Sequence, residues 1–284
     1  MSRIAYVNGE FVPLEEAKIS VLDRGFLFAD GVYEVTAVID GKLVDNAPHL
    51  ARLERSLSEL DMAHPLPLNE LTDLQLELAR RNGLKEGGIY LQITRGAAER
   101  DFSFPKDAKP SLVMFTQERA LVNDPRAEKG IKVITTPDLR WKRRDIKSVS
   151  LLAQTMAKEE AVRAGAGEAI MVEEGTVTEG SSSTAWIVKD GKLITRNLSN
   201  AVLPGVTRLS VMQLCNELGL SVEERTYDVD ELYQADEMFI TAATTLVMPV
   251  VEIDDRVMSN GAPGPIASRL RDLYIETARQ TATG

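Results

Sequence analysis

Cysteine is almost absent from this chain. Cys215 is the only one among 284 residues, so no intrachain disulfide can form and no cysteine-based metal centre can be built. Histidine is nearly as scarce, at His49 and His64, which excludes a histidine-rich metal site. An excess of basic charge is missing too: 33 Lys and Arg stand against 43 Asp and Glu, a formal net charge of -10. That is the wrong sign for a face that neutralises nucleic-acid phosphates or rests on an acidic membrane. No apolar run of about eighteen residues is available to span a bilayer, and the opening MSRIAYVNGE lacks the apolar core of a signal peptide. The expectation is a soluble cytoplasmic protein with no nucleic-acid or membrane partner.

What is present is ordinary globular composition. Hydrophobic residues make up 44% and charged residues 27%, enough to bury a sizeable core. The length allows one large domain or two smaller ones, with two favoured. Paired strand signals surround Asn8-Gly9 and Asp40-Gly41, which predicts two hairpins in the first forty-five residues. From Pro48 the apolar spacing becomes helical, a second helix covers Glu70 to Asn82, and IYLQITRG alternates as a strand. The charged, proline-containing stretch LVNDPRAEKG suits a linker. It sets the expected domains at 1–119 and 127–284, with 120–126 between them. The second half again mixes strands and helices without regular alternation, so the expected class is α+β. Cys215 falls on the apolar stripe Val211, Leu214, Cys215, Leu218 of a helix from about Val206, and is read as core.

Three stretches can carry chemistry. In RRDIKSVSLLAQ, an extended Asp145–Leu151 puts Lys147 on the same side as Val149 and Leu151, the apolar side. Burying an ammonium costs at least ~3 kcal/mol unless it is paired or neutral. Lys147 is therefore either a snorkelling lysine at a strand end or a neutral nucleophile suited to Schiff-base chemistry. The upstream run Arg140, Lys142, Arg143, Arg144 is either a solvated loop or the charge that depresses its pKa. In TVTEGSSST, a carboxylate and three serines form either a solvated turn or a resting place for an anion. In LPGVTRLSV, the free N–H groups of Val206 and Thr207 would face a phosphate, the plain alternative being an ordinary helix start.

DIKS, TEGSSS and LPGVTR in this order resemble the pyridoxal-phosphate enzymes of the class IV aminotransferase family, fold type IV, and within it most of all the D-amino acid transaminases. LDRGFLFADGVYEV, HLARL, ITRGAAERDFSFP and EMFITAATTLVMPV extend the resemblance over nearly the whole chain. The resemblance implies a two-domain α+β fold whose second domain carries the lysine, a homodimer, and pyridoxal 5'-phosphate as cofactor. Lys147 matches the lysine that holds the cofactor and shuttles the proton between Cα and C4′. Glu179 matches the acid on the pyridine nitrogen, and Leu203 a residue packed on the ring. Arg52, which helix spacing alone would leave as a flanking residue, matches the phosphate arginine. His49, three residues earlier, is read as structural. Val206 and Thr207 match phosphate donors.

Tyr33 and Arg100 match residues that hold the substrate carboxylate, Arg100 reaching in from the partner subunit. Two positions depart from the pattern: Phe102 stands where a histidine is usual, and Ala243 where a threonine gives a hydroxyl to the phosphate, leaving Thr244 or the Ala243 N–H to serve. The implied activity is transfer of the amino group of a D-amino acid, such as D-alanine, to a 2-oxo acid, such as 2-oxoglutarate, by a ping-pong mechanism. Alternatives are an R-selective amine transaminase, a branched-chain aminotransferase and a lyase like aminodeoxychorismate lyase.

Overall fold

The computed structural model describes residues 2–284. It divides into two compact units: Met1–Leu121 with Ile146–Ser150 and Ala278–Gly284, and Val122–Asp145 with Leu151–Thr277.

The first unit is built on a six-stranded antiparallel sheet, in the order Glu10–Pro13, Ile4–Val7, Ser111–Glu118, Gly87–Thr94, Gly31–Ile39, Lys42–Leu43. Its two hairpins turn at the predicted dipeptides. Asn8 and Gly9 have φ of 49° and 107°, Asp40 and Gly41 of 54° and 78°, the positive values that a two-residue turn matched to strand twist requires. Helices Asn46–Glu59 and Leu68–Arg81 pack on the sheet. Leu53, Leu57, Leu71 and Leu78 from the helices meet Val32, Val38, Ile89, Leu91 and Ile93 from the strands in one fully buried core.

The second unit holds a nine-stranded mixed sheet. Its order is Val222–Glu224, Lys192–Thr195, Thr184–Lys189, Glu237–Ala242, Leu246–Ile253, Ile131–Pro137, Glu168–Glu173, Thr176–Gly180, with Arg256–Val257 paired to Leu246–Ile253. Ile131–Pro137 runs parallel to both of its neighbours. Helix Leu152–Arg163 covers the strands Ile131–Pro137 and Glu168–Glu173, and helix Val206–Glu217 packs on Glu237–Ala242. Cys215 is buried in the latter, where burial pushes its thiol up to about 11.

Two expectations about organisation are corrected. The stretch expected as linker contains the start of a helix, Pro125–Lys129, because Asp124 accepts from the Arg126 N–H and Pro125 occupies the first turn. Those are helix-start signals inside what composition marks as a loop. The lysine segment Ile146–Ser150 belongs to the first unit, whereas the resemblance placed it in the second. Hydrogen bonds from Tyr33 N to Lys147 O (3.0 Å), Val149 N to Gly31 O (3.0 Å) and Lys147 N to Ser56 Oγ (3.3 Å) hold it there.

Candidate active site

The predicted residues fall into two groups, one in each unit. In the first unit, Lys147 lies on an irregular segment, tied to the sheet by a single bridge between Ser148 and Val32. The extended strand expected here is absent, and the burial is the reverse of the expectation: Ile146 and Ser148 are buried, Lys147 and Val149 only half-buried. The alternation is real, but the inward phase belongs to the even positions, with Ile146 completing the core of the first unit. Lys147 instead projects its amine to 4.2 Å from the centre of the Tyr33 ring. Tyr33 stacks on Tyr90, and Tyr90 on Phe115, so the ring facing the amine is fixed by two others.

Arg52 is not a solvated flank of its helix. It is buried and grips Glu34 bidentately, Nε to Oε1 at 2.8 Å and Nη2 to Oε2 at 2.7 Å, while His49 Nδ1 lies 2.7 Å from the same Oε2. Burial alone would raise the Glu34 carboxyl; the Arg52 charge and hydrogen bonds, with His49, outweigh it and hold it at about 2. Burial keeps His49 below its ordinary value in spite of that carboxylate. His49, Arg52 and Ser56 share one buried face of helix Asn46–Glu59, so a single helix positions the arginine and, through Ser56, the lysine backbone. Sequence reasoning passed over Glu34. The signal was available: it alternates with Val32, Thr36 and Val38 on the inner face of a strand, where a carboxylate demands a partner.

Arg100 and Phe102 lie together on the 97–104 loop. The Arg100 guanidinium carbon is 5.3 Å from the ring centre of Phe28 and 5.5 Å from that of Phe102, which is 80% exposed.

In the second unit Glu179 is buried near the end of strand Thr176–Gly180. It accepts from the Leu203 N–H at 3.1 and 3.2 Å and from Arg140 Nη1. Burial pushes its carboxyl above the ordinary value; Arg140 and Leu203 offset this only in part, and the nearby Asp138 charge works against them. Arg140 is a second residue missed from sequence, where it reads as one of a basic run. Arg140 and Arg144 leave the solvent while Lys142 stays exposed, and all four members of the run are paired with carboxylates. Arg140 pairs with Asp138 and Glu179, Arg143 with Asp145, and Arg144 and Lys142 with Glu173.

The three serines of TEGSSST do not present an open anion site either. Their hydroxyls all bond to the internal carboxylate of Glu168. Val206 and Thr207 open helix Val206–Glu217 after the cap residue Gly205, both buried, with their N–H groups at the positive end of the helix. A Cβ on Gly205 would lie 2.6 Å from Thr184 Oγ1, so glycine permits the close approach. The helix packs on the strand leading into Ala243 and Thr244, both half-buried in the turn after Ala242. The adjacent Thr245 hydroxyl is buried and without a partner, a cost that a bound polar group would remove.

In the first unit an amine lies over an aromatic ring; within the second, a buried carboxylate and the N–H groups of a helix start suit a cationic ring bearing an anionic arm. Residues 31–253 match the family described as amino-transferase class IV. D-alanine aminotransferase of Staphylococcus aureus (strain N315) is 39% identical over 276 residues, spanning 96% of this chain and 98% of that protein. D-alanine aminotransferase of Bacillus licheniformis is 39% identical over 277 residues, spanning 97% and 95%. Among solved structures, the branched-chain aminotransferase of the thermophilic archaeon Thermoproteus uzoniensis with norvaline superposes with a TM-score of 0.88 at 27% identity, covering 98% of this chain and 95% of that one. The α+β fold is thus fold type IV, and the chain belongs to the class IV aminotransferases, a pyridoxal-phosphate-dependent family.

Proposed function

We propose that this enzyme moves the amino group of a D-amino acid, with D-alanine as the reference donor, to a 2-oxo acid such as 2-oxoglutarate. The observation that carries this reading is the near-full-length likeness to D-alanine aminotransferases. The likeness to branched-chain enzymes rests on the shared fold at lower identity.

Three features of the chain fit pyridoxal phosphate. Glu179 is a buried acceptor whose carboxyl burial pushes up in spite of Arg140, so a protonated ring nitrogen would add a second cation to offset that burial. The start of helix Val206–Glu217 offers N–H donors to a phosphate, with the Ala243–Thr244 turn as a further source; Arg52 is the phosphate arginine only by the resemblance, its Nε and Nη2 being committed to Glu34. Thr245 has a buried hydroxyl awaiting a partner. When bound, the cofactor supplies the carbonyl that accepts the amino group and the electron sink for the Cα carbanion.

Lys147 Nζ would hold the cofactor, and the same amine would carry the proton between the substrate Cα and C4′. Its reach is set by the backbone bonds to Tyr33 and Ser56. Glu179, held by Arg140 and the Leu203 N–H, would meet the ring nitrogen, and the Leu203 side chain would pack on the ring. Tyr33 and Arg100 hold the substrate carboxylate, Arg100 acting in the partner subunit of a homodimer. No helix among the described residues is long and apolar enough to cross a membrane, consistent with a cytoplasmic enzyme.

Phe102 favours one second reading. A phenyl ring where the resemblance leads one to expect a polar side chain suits R-amines lacking a carboxylate. The test is a half-reaction in which the cofactor-loaded enzyme is mixed separately with D-alanine, L-leucine and R-1-phenylethylamine, and the visible absorbance and 2-oxo product are followed. Conversion of D-alanine with release of pyruvate is expected. Turnover of L-leucine or of the amine alone would overturn the D-amino acid reading.

A further inference from the structure

The hairpin that carries Glu179 is irregular at one place. Across its two strands Ile170 pairs with Gly180 and Val172 with Val177, so two residue steps on one side face three on the other. The extra residue lies in the Thr178–Glu179 stretch. A bulge of this kind re-aims the side chain it carries and survives only if both ends are fixed. On one side the single Thr178 hydroxyl proton is donated to Asp138 Oδ2 at 2.7 Å, with Met171 O the alternative acceptor at 3.0 Å. On the other stands the serine turn, and its fastening is Glu168.

Glu168 is 2% exposed. Its Oε1 accepts from the Ala169 N–H at 2.9 Å and from Ser181 Oγ; its Oε2 accepts from Ser182 Oγ at 2.8 Å and Ser183 Oγ at 3.3 Å. Four donors occupy the lone-pair sites of one carboxylate, an arrangement that an acceptor-only, ionised group satisfies and an amide does not. The nearest cation, Lys158 Nζ, is 3.8 Å away and donates instead to Gly167 O. The turn is also closed by its backbone: Gly180 N donates to Ser183 O at 2.8 Å and Ser181 N to Ala169 O at 2.9 Å. It is tight enough that a Cβ on Gly180 would lie 2.1 Å from Ser183 Oγ. Three serines at a surface turn would be solvated by water. A buried carboxylate is a costly substitute, and the serine turn it fastens begins two residues after Glu179 in the chain.

We propose that Glu168 is a positioning residue for Glu179: by gathering Ser181, Ser182 and Ser183 onto one buried carboxylate it locks the bulge that aims Glu179. This rests on the reading of Glu179 as the partner of the cofactor's ring nitrogen. The test compares holoenzymes of the natural sequence, Glu168→Gln, Ser182→Ala and Glu179→Gln by three readouts: cofactor dissociation constant, pH titration of the bound cofactor's visible absorbance, and the split of kcat against KM for D-alanine.

Glu168→Gln should lower kcat about ten- to a hundredfold, the scale of a small misplacement, with KM little changed. The titration of the bound cofactor should move in the same direction as in Glu179→Gln. Ser182→Ala, at the exposed and mildest position of the knot, should move both readouts the same way by less. Loss of thermal stability in Glu168→Gln with kcat and the titration unchanged would make the knot purely structural and overturn the proposal. If that variant fails to fold, Ser182→Ala decides by the same two readouts. A Glu179→Gln enzyme that titrates and turns over like the natural one would instead refute the reading of Glu179 itself.

Discussion

Glu34 in the first unit and Glu179 in the second are both buried and both held by an arginine, yet their carboxyls shift in opposite directions. Glu34 is held at about 2, while Glu179 is pushed up. The difference lies in the company each keeps. Arg52 gives both arms of its fork to Glu34, and His49 adds a third contact. Arg140 divides its fork between Glu179 and Asp138, whose negative charge adds to the penalty on Glu179. Glu34 is a completed ion pair that fixes Arg52 and the helix bearing it. Glu179 shares its arginine with Asp138, and under the proposed reading a second cation arrives with the cofactor. A buried carboxylate thus marks a reactive place less by its burial than by what its partners leave undone.

The largest effect that could break this contrast is on stability. Glu34→Ala strands Arg52 in the interior and should destabilise the fold by about 3–5 kcal/mol, read as a fall in urea midpoint. The sign of the pH effect follows. The folded value of about 2 lies below the ordinary 4.5, so the stabilisation is complete above pH 4.5 and drains away as pH falls toward 2. The natural enzyme should lose on the order of 3 kcal/mol across that window for this one group, and the variant should lose none of it. A variant as stable as the natural enzyme at pH 7 would show that the two carboxylates do not differ as described.

Glu179→Gln should do the reverse. A carboxyl whose folded value is raised contributes stability only below its ordinary value and works against the fold at neutral pH, so the cofactor-free variant should melt no lower than the natural chain. Its kcat should drop by roughly two to three orders of magnitude, the scale set by losing one preorganised electrostatic partner. A stability loss comparable to that of Glu34→Ala would erase the distinction.

Much of this was legible in the sequence for reasons that can be named. The hairpin turns were readable because Asn-Gly and Asp-Gly tolerate the positive φ that such turns need. Lys147, Glu179 and the Val206–Thr207 helix start stood out through their motifs. What escaped were partnerships between residues distant in sequence. Glu34 and Arg52 are eighteen residues apart, Arg140 and Glu179 thirty-nine, and Glu168 lies thirteen to fifteen residues before its serines. Local pattern says that a strand carboxylate needs a partner but not which one. The Lys147 segment was misread for a related reason: alternation fixes which residues share a side, while the choice of the inward side is made by the core, here through Ile146.

The smallest effect sharpens the contrast by separating the two partners of Glu34. His49→Asn leaves an amide near the position of Nδ1 but removes the titrating ring, and should cost about 1 kcal/mol at pH 8, the value of one imperfectly replaced hydrogen bond. Burial keeps His49 below its ordinary 6.5, so as pH falls the folded chain takes up a proton on the ring less readily than the unfolded chain. The natural enzyme therefore forfeits stability below pH 6.5 that the asparagine variant keeps, and the gap between their melting temperatures should narrow from pH 8 to pH 5. A gap that widens on acidification would mean that His49 is charged in the fold. Glu34 would then owe its depressed value to two cations rather than to the Arg52 fork, and its difference from Glu179 would lie in the number of charges rather than in their geometry.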